Sequence, residues 1–110
     1  MVILTAMYGQ PQDPAAFDRY YIENHTPIAV KIPGLRGYTK FKPANINPAE
    51  SAPYYLIALL YFDNLEAIQA GMQTPEGQAA AGDLPNFASG GVTLLVGEEE
   101  FVVPFQNQAR

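Results

Sequence analysis

The chain has 110 residues, 48% of them apolar and 15% charged, enough to bury a core within one domain spanning residues 1–110. Its net charge of -5 argues against a nucleic-acid partner, which needs a basic face. The absence of cysteine excludes disulfides, thiolate metal sites and thiol nucleophiles, and fits a reducing cytoplasm.

Val2 to Tyr8 is rich in β-branched and large apolar residues, and Gly9, Pro11 and Pro14 punctuate the chain after it, which predicts a strand. No basic segment precedes the run, so it reads as a strand and not as a secretion signal. Asp13-Pro14 is a helix start, with Asp13 able to accept from orphan amides and Pro14 lacking an amide that would be orphaned anyway. Phe17, Tyr20, Tyr21, Asn24, His25 and Ile28 recur at three- and four-residue intervals, one helix face. Pro27 cannot sit inside a straight helix, so Thr26-Pro27 either ends this helix or caps a short second segment running to about Ile32.

Leu35 to Lys42 alternates: Leu35, Gly37, Thr39 and Phe41 point one way, Arg36, Tyr38, Lys40 and Lys42 the other. Pro43 to Pro53 is a polar, proline-rich loop. Tyr54 to Phe62 is the longest uncharged apolar run, far short of the ~20 residues that a membrane-spanning helix needs. It has the length of a strand. A strand with one solvated face would alternate; this one is apolar on both sides, so both faces should be covered. Asp63-Asn64-Leu65-Glu66 resembles a capping box with Asp63 as the cap, and opens a helix whose stripe is Leu65, Ile68 and Met72. Thr74-Pro75-Glu76 restarts a helix that runs to about Asp83 and ends in Leu84-Pro85-Asn86-Phe87. Gly90-Gly91 is a turn. Val92–Val96 and then Phe101–Val103 read as the last strand, with Gly97 as a bulge and a tail from Pro104.

The order is βαββαβ. That is the ferredoxin-like plait, an α+β fold with an antiparallel four-stranded sheet and both helices on one face. The two-sided apolar strand implies that a second copy covers the other face, making a homodimer. If the two sheets join edge to edge they form a dimeric α+β barrel whose interior is the expected pocket. An RNA-binding module shares this strand order, but the acidic balance and the lack of an aromatic RNP1-like run on the third strand argue against it.

His25 is the single histidine. It shares a helix face with Tyr21 and Phe17. It is either a general acid or base, with an ordinary pKa near ~6.5 suited to proton transfer, or a structural group capping carbonyls near a helix end. Of seven tyrosines, Tyr8, Tyr21, Tyr38 and Tyr54 are expected nearest a pocket, with hydroxyls to orient a ligand; the competing role is to fill core and interface. Asp83 and Asn86 either line the pocket mouth or satisfy backbone amides in a turn, the structural role being favoured. Five of the six basic residues, Arg19, Lys31, Arg36, Lys40 and Lys42, fall in one stretch, and Glu98, Glu99 and Glu100 cluster near the other end. Each is either a solvated face or a partner in pairing. No HExxH, CxxC, GxGxxG or P-loop occurs, so neither a protein metal site nor a nucleotide site is expected.

Two segments carry a resemblance. FDRYYIENHTPIAVKIPGLRGY, residues 17–38, and TPEGQAAAGDLPNFASGGV, residues 74–92, resemble the EthD family, first noticed among genes for ethyl tert-butyl ether degradation. The resemblance covers nearly the whole chain and implies a dimeric α+β barrel, with Asp83, Asn86 and Phe87 in place in the second motif. Related barrels include cofactor-free monooxygenases, polyketide-tailoring enzymes, muconolactone isomerases and haem-handling proteins. The expectation is a protein that binds a small hydrophobic ligand, aromatic or polyketide-like, and acts as a cofactor-independent oxygenase, isomerase or dehydratase with His25 as acid or base. The alternatives are a non-catalytic binding or accessory protein for an oxygenase system, and, less favoured, a haem protein with His25 as ligand.

Overall fold

The computed structural model describes residues 1–106. Strand β1 (Val2–Tyr8) leads into a broken helix, α1 (Pro14–Tyr20) and α2 (Thr26–Ala29), joined by a π-turn. Strands β2 (Gly37–Phe41) and β3 (Leu56–Phe62) follow, then a second broken helix, α3 (Leu65–Gln73) and α4 (Pro75–Asp83), and strand β4 (Val92–Glu98). The sheet is antiparallel throughout, in the order β2-β3-β1-β4. This is the expected ferredoxin-like α+β plait.

The register sorts side chains between two faces. Val2, Leu4, Ala6 and Tyr8 lie opposite Phe62, Leu60, Ala58 and Leu56. With period-2 alternation these share one face, and it is the face the helices cover: the β3 members, together with Phe17, Tyr21, Ile32 and Ile68, are buried. The other face carries Ile3, Thr5 and Met7 beside Tyr61, Leu59 and Ile57, flanked by Leu95 and Phe41. Nothing among the described residues covers it. The three β3 members stay half-buried, and Leu95 and Phe41 are exposed.

Several element ends differ from the sequence expectation. Helix α3 is capped by Asn64, whose side chain accepts from the Ala67 amide at 2.8 Å; Asp63 pairs with Arg36 at 3.3 Å instead. Strand β3 starts at Leu56, leaving Tyr54 ahead of it. Gly97 pairs regularly with Ile3, so there is no bulge. Phe101–Val103 is not strand. The partner of β4 is β1, which starts at Val2 opposite Glu98; past the Glu99 amide, bonded to the Met1 carbonyl at 3.1 Å, no ladder remains to join. Phe101, Val102, Val103 and Phe105 are consequently exposed. Of the predicted tail, residues 107–110 lie outside the described residues.

Two caps anticipated from sequence hold their places. Asp13 accepts from the Ala16 amide at 3.2 Å, and Thr74 from the Gly77 amide at 3.0 Å. The second makes α3 and α4 meet at a sharp corner. A Cβ on Gly77 would lie 2.2 Å from the Gly71 carbonyl oxygen, backbone that cannot swing aside, whereas one on Gly82 would meet nothing. Gly77→Ala should therefore destabilise by about 1–3 kcal/mol. Gly82→Ala should stabilise by roughly 0.5–1 kcal/mol through helix propensity. Thermal unfolding of the two variants reads both signs; equal shifts would contradict this packing of the corner.

Candidate active site

The site starts from a backbone irregularity. Tyr21–His25 forms one π-turn, closed by the Thr26 amide donating to the Tyr21 carbonyl. Pro27 accounts for it. Proline has no amide to give the Glu23 carbonyl, and in a regular α-turn its ring would collide with that oxygen; a wider turn relieves the collision. The consequence is rotational. An α-helix turns once in 3.6 residues, so side chains spaced strictly by four drift around its axis. One wide turn takes the drift back, and Phe17, Tyr21, His25 and Ala29 are all buried.

His25 is thereby brought to the end of α4. Its Nδ1 lies 3.0 Å from Asp83 Oδ2, with both residues about 95% buried, at 5% and 6% exposure. Asp83 accepts two further hydrogen bonds on Oδ1, from the Tyr20 hydroxyl at 2.6 Å and the Asn86 amide at 3.0 Å. Burial opposes ionisation of Asp83, but the donors Tyr20, Asn86 and His25 outweigh it and hold the carboxyl below its ordinary range. Burial likewise disfavours the charged imidazole and prevails over the pull of Asp83, so His25 titrates below its ordinary 6.5. At neutral pH the pair is an aspartate accepting from Nδ1–H of a neutral histidine. The carboxylate sets the tautomer, and Nε2 keeps its lone pair. Phe87 packs on the imidazole with ring centroids 4.7 Å apart and Tyr21 lies at 5.4 Å, which fixes the ring plane.

His25 lines a cavity of about 50 Å³ between the helices and the sheet. Leu4, Ala6, Tyr8, Ala58, Leu60 and Tyr38 form its sheet side, and Ala29, Ile32, Met72 and Ala80 its helix side. Exposed Leu94 and Ala81 stand at its mouth. The sequence predicts a pocket inside a barrel formed by two sheets; this cavity belongs to one chain and sits under its own helices. The pleat explains the difference. Helix-facing positions in the middle of β1 and β3 are small, Ala6 opposite Ala58, and Ala29 and Ala80 face them from the helices, so the layers meet without filling the gap.

Of the other predicted residues, Tyr8 and Tyr38 line the cavity. Tyr21 stands behind, its hydroxyl hydrogen-bonded to that of Tyr38. Burial pushes both phenols above their ordinary range. The Thr26 hydroxyl is close enough to ease Tyr38 ionisation, yet makes no hydrogen bond of proper geometry and is buried without a partner. Asn86 and Phe87 support the pair from outside the cavity, on a separate groove with Tyr20. Tyr54 is not brought to the site: it lies half-buried ahead of β3. Tyr55 occupies the inward position there, its hydroxyl 3.0 Å from the Asp18 carboxylate and from Lys42 Nζ. Asp83 serves side-chain donors, not the backbone amides expected of it. Tyr20 is not among the predicted site residues, although the periodicity puts it on the same helix face; it reaches Asp83 from the flank.

Residues 9–91 match the family model described as the EthD domain. The chain belongs to the EthD family. It is 41% identical over 106 residues to an uncharacterised 11.0 kDa protein of Rhodococcus erythropolis from the thcB-thcC intergenic region, covering 94% of this chain and all of that one. An EthD family protein of Bacillus halodurans superposes with a TM-score of 0.84 at 40% identity, over 91% of this chain and 99% of that chain. At the level of the fold alone, the domain is similar to SnoaB, a cofactor-independent oxygenase from Streptomyces nogalater, with a TM-score of 0.65 at 12% identity, over 94% and 96% of the two chains.

The depressed titration of His25 in this EthD domain has a signed effect on stability. Between the folded pKa and the ordinary 6.5 the unfolded chain binds the proton and the folded one does not, so stability falls as pH drops below about 6.5. Asp83 contributes in a separate, lower window, below its ordinary 3.8. As the chain has one histidine, the first window is attributable. The melting temperature of wild type should fall more steeply between pH 7 and 5 than that of His25→Gln; parallel slopes would rule out a depressed histidine.

Proposed function

We propose that the protein binds a small hydrophobic molecule in the cavity beside His25 and moves a proton to or from it without a cofactor. The observation that carries this reading is the His25–Asp83 pair. Its Nδ1–H is committed to a carboxylate and its Nε2 belongs to a cavity otherwise almost wholly apolar. A neutral imidazole held in one tautomer accepts a proton through Nε2, and Asp83 stabilises the imidazolium that results. The apolar walls exclude water that would otherwise hydrate the charge. Enolisation, isomerisation and dehydration all begin with such a step, as does reaction of an electron-rich anion with oxygen. The fold-level likeness to a cofactor-independent oxygenase is compatible with this reading.

The volume bounds the ligand. About 50 Å³ holds roughly four water-sized groups at about 10–15 Å³ each, so the oxygen-bearing edge of a small ring, or the end of a larger aromatic or polyketide-like molecule, enters, and the remainder extends past Leu94 and Ala81 at the mouth. This reading takes no haem, and no step is assigned to one. We further assign the uncovered sheet face, Ile3, Met7, Ile57, Leu59 and Leu95, to a second copy of this chain. Burying that face removes an apolar surface from water and leaves each helix layer and its cavity on the outside of the dimer.

Proton transfer is testable before the full reaction is known, because a base that removes a carbon-bound proton exchanges it with solvent. The wild-type protein in D2O should incorporate deuterium next to the carbonyl of small cyclic ketones such as cyclopentanone, followed by NMR. His25→Ala should slow this about 100-fold or more while keeping its circular dichroism. Ligand binding with no exchange by wild type would favour the accessory-protein reading. Native mass spectrometry of a 12.0 kDa subunit should show a species of roughly twice that mass, and Leu59→Glu on the outer face should dissociate it to monomers with the helical signal intact. A wild-type monomer would contradict the covered face.

A further inference from the structure

Two polar groups on residues that line the cavity have no hydrogen-bond partner among the described residues. One is His25 Nε2. The other is the Tyr8 hydroxyl. Tyr8 is 2% exposed, and its ring is held on three sides, edge-on by Phe17 at 5.4 Å and Tyr21 at 5.8 Å and tilted against Phe87 at 5.5 Å. It cannot swing out to water. The inward tyrosines otherwise have partners: Tyr20 with Asp83, Tyr21 with Tyr38, Tyr55 with Asp18. Tyr8 has none among the described residues. Nor is its hydroxyl sealed by protein as the Thr26 hydroxyl is; it opens on the cavity that Tyr8 lines.

A buried phenol left unpaired costs stability, and phenylalanine would pack the same space without that cost. The hydroxyl is therefore explained by something that enters. The neighbouring groups say what. Asp83 is an anion shared by three donors, and Tyr8 stays protonated, so Tyr8 is a donor seeking an acceptor. Of the remaining wall, the Tyr38 hydroxyl is already hydrogen-bonded to Tyr21, and the side chains of Leu4, Ala6, Ala29, Ile32, Ala58 and Leu60 offer no hydrogen bond.

We propose that Tyr8 donates its hydroxyl hydrogen to one oxygen of the bound molecule, and that the site selects small apolar molecules carrying a single hydroxyl or carbonyl oxygen, a phenol or a simple ketone. The proposal rests on the reading of the cavity as a ligand site. A phenol accepts from Tyr8 and donates to His25 Nε2. A ketone accepts from Tyr8 and turns an adjacent C–H toward Nε2, where the hydrogen bond to oxygen stabilises the enolate formed as the proton moves to His25. Tyr8 keeps its proton throughout, and the electron pair left on carbon delocalises onto the carbonyl oxygen.

Phenol and toluene differ in little but the hydroxyl, so their comparison isolates the oxygen. Binding of each to the intact protein is measured by NMR titration for wild type, Tyr8→Phe and His25→Gln, with melting temperatures alongside. Wild type should bind phenol about 10-fold more tightly than toluene, the worth of one hydrogen bond. Tyr8→Phe should lose most of that preference, keep its affinity for toluene, and melt no lower than wild type. A preference that survives Tyr8→Phe but vanishes in His25→Gln would overturn the role of Tyr8 and leave the cavity reading standing. Equal binding of both probes to wild type would overturn the selection for oxygen. Binding of neither would overturn the cavity reading itself, and this proposal with it.

Discussion

Pro27 has no amide to offer the Glu23 carbonyl, and the site follows from how the chain absorbs that loss. A helix interrupted there by a sharp kink would send α2 away from the sheet. The wide turn keeps the axis roughly continuous and changes only its phase. Phe17, Tyr21, His25 and Ala29 then share one line down the inward face, and each has a different task. Phe17 packs on Tyr8 and Tyr55. Tyr21 ties β2 through Tyr38. His25 meets Asp83, and Ala29 leaves room for the cavity. Without the π-turn the fourth position in such a series rotates off the face, and the helix could not hold both an aromatic seam and a histidine against α4.

The second broken helix answers the first. Asp83 reaches His25 only because α4 restarts at Thr74 on a new axis after the tight corner at Gly71 and Gly77. The carboxylate costs desolvation where it sits, and three side-chain donors offset that cost. Two of them, Tyr20 and Asn86, stand on the solvent side of the pair and shield it. The arrangement separates two functions that a lone buried histidine would have to combine: Asp83 and its donors fix the ring, and the cavity meets only Nε2.

The fold was legible because its signals are local and repeated. Proline after a capping residue opens α1 and α4, and apolar alternation with small-residue punctuation sets the strands. The two-sided run in β3 requires cover on both faces, and the face beyond the helices is indeed apolar. The site was half legible. The spacing of Phe17, Tyr21 and His25 placed the histidine inward, and the second family motif brought Asp83, Asn86 and Phe87 into view. The bond between His25 and Asp83 was not legible, since 58 residues separate them and no local pattern reports a contact across that distance. Tyr20 was legible as part of the helix face but not as a partner of Asp83, a contact between distant segments, and the location of the cavity was hidden because its alanines lie on four elements that no local pattern brings together.

Those alanines bear on specificity. Ala6, Ala29, Ala58 and Ala80 belong to four different elements and converge on one space. Protein interiors are normally filled to the density of organic crystals, and a leucine or valine at any of the four would fill this one. Two unpaired polar atoms give one water the bare minimum of the two to four polar partners it needs, and the methyl-lined remainder of the gap gives any further water none. The gap suits a molecule with an apolar body and one oxygen. The same geometry sets the limit on size: any larger body must extend past Leu94 on β4, an edge strand whose outer side no other strand covers, so variation in ligand length is accommodated at the mouth while the oxygen and the reacting carbon stay between Tyr8 and His25.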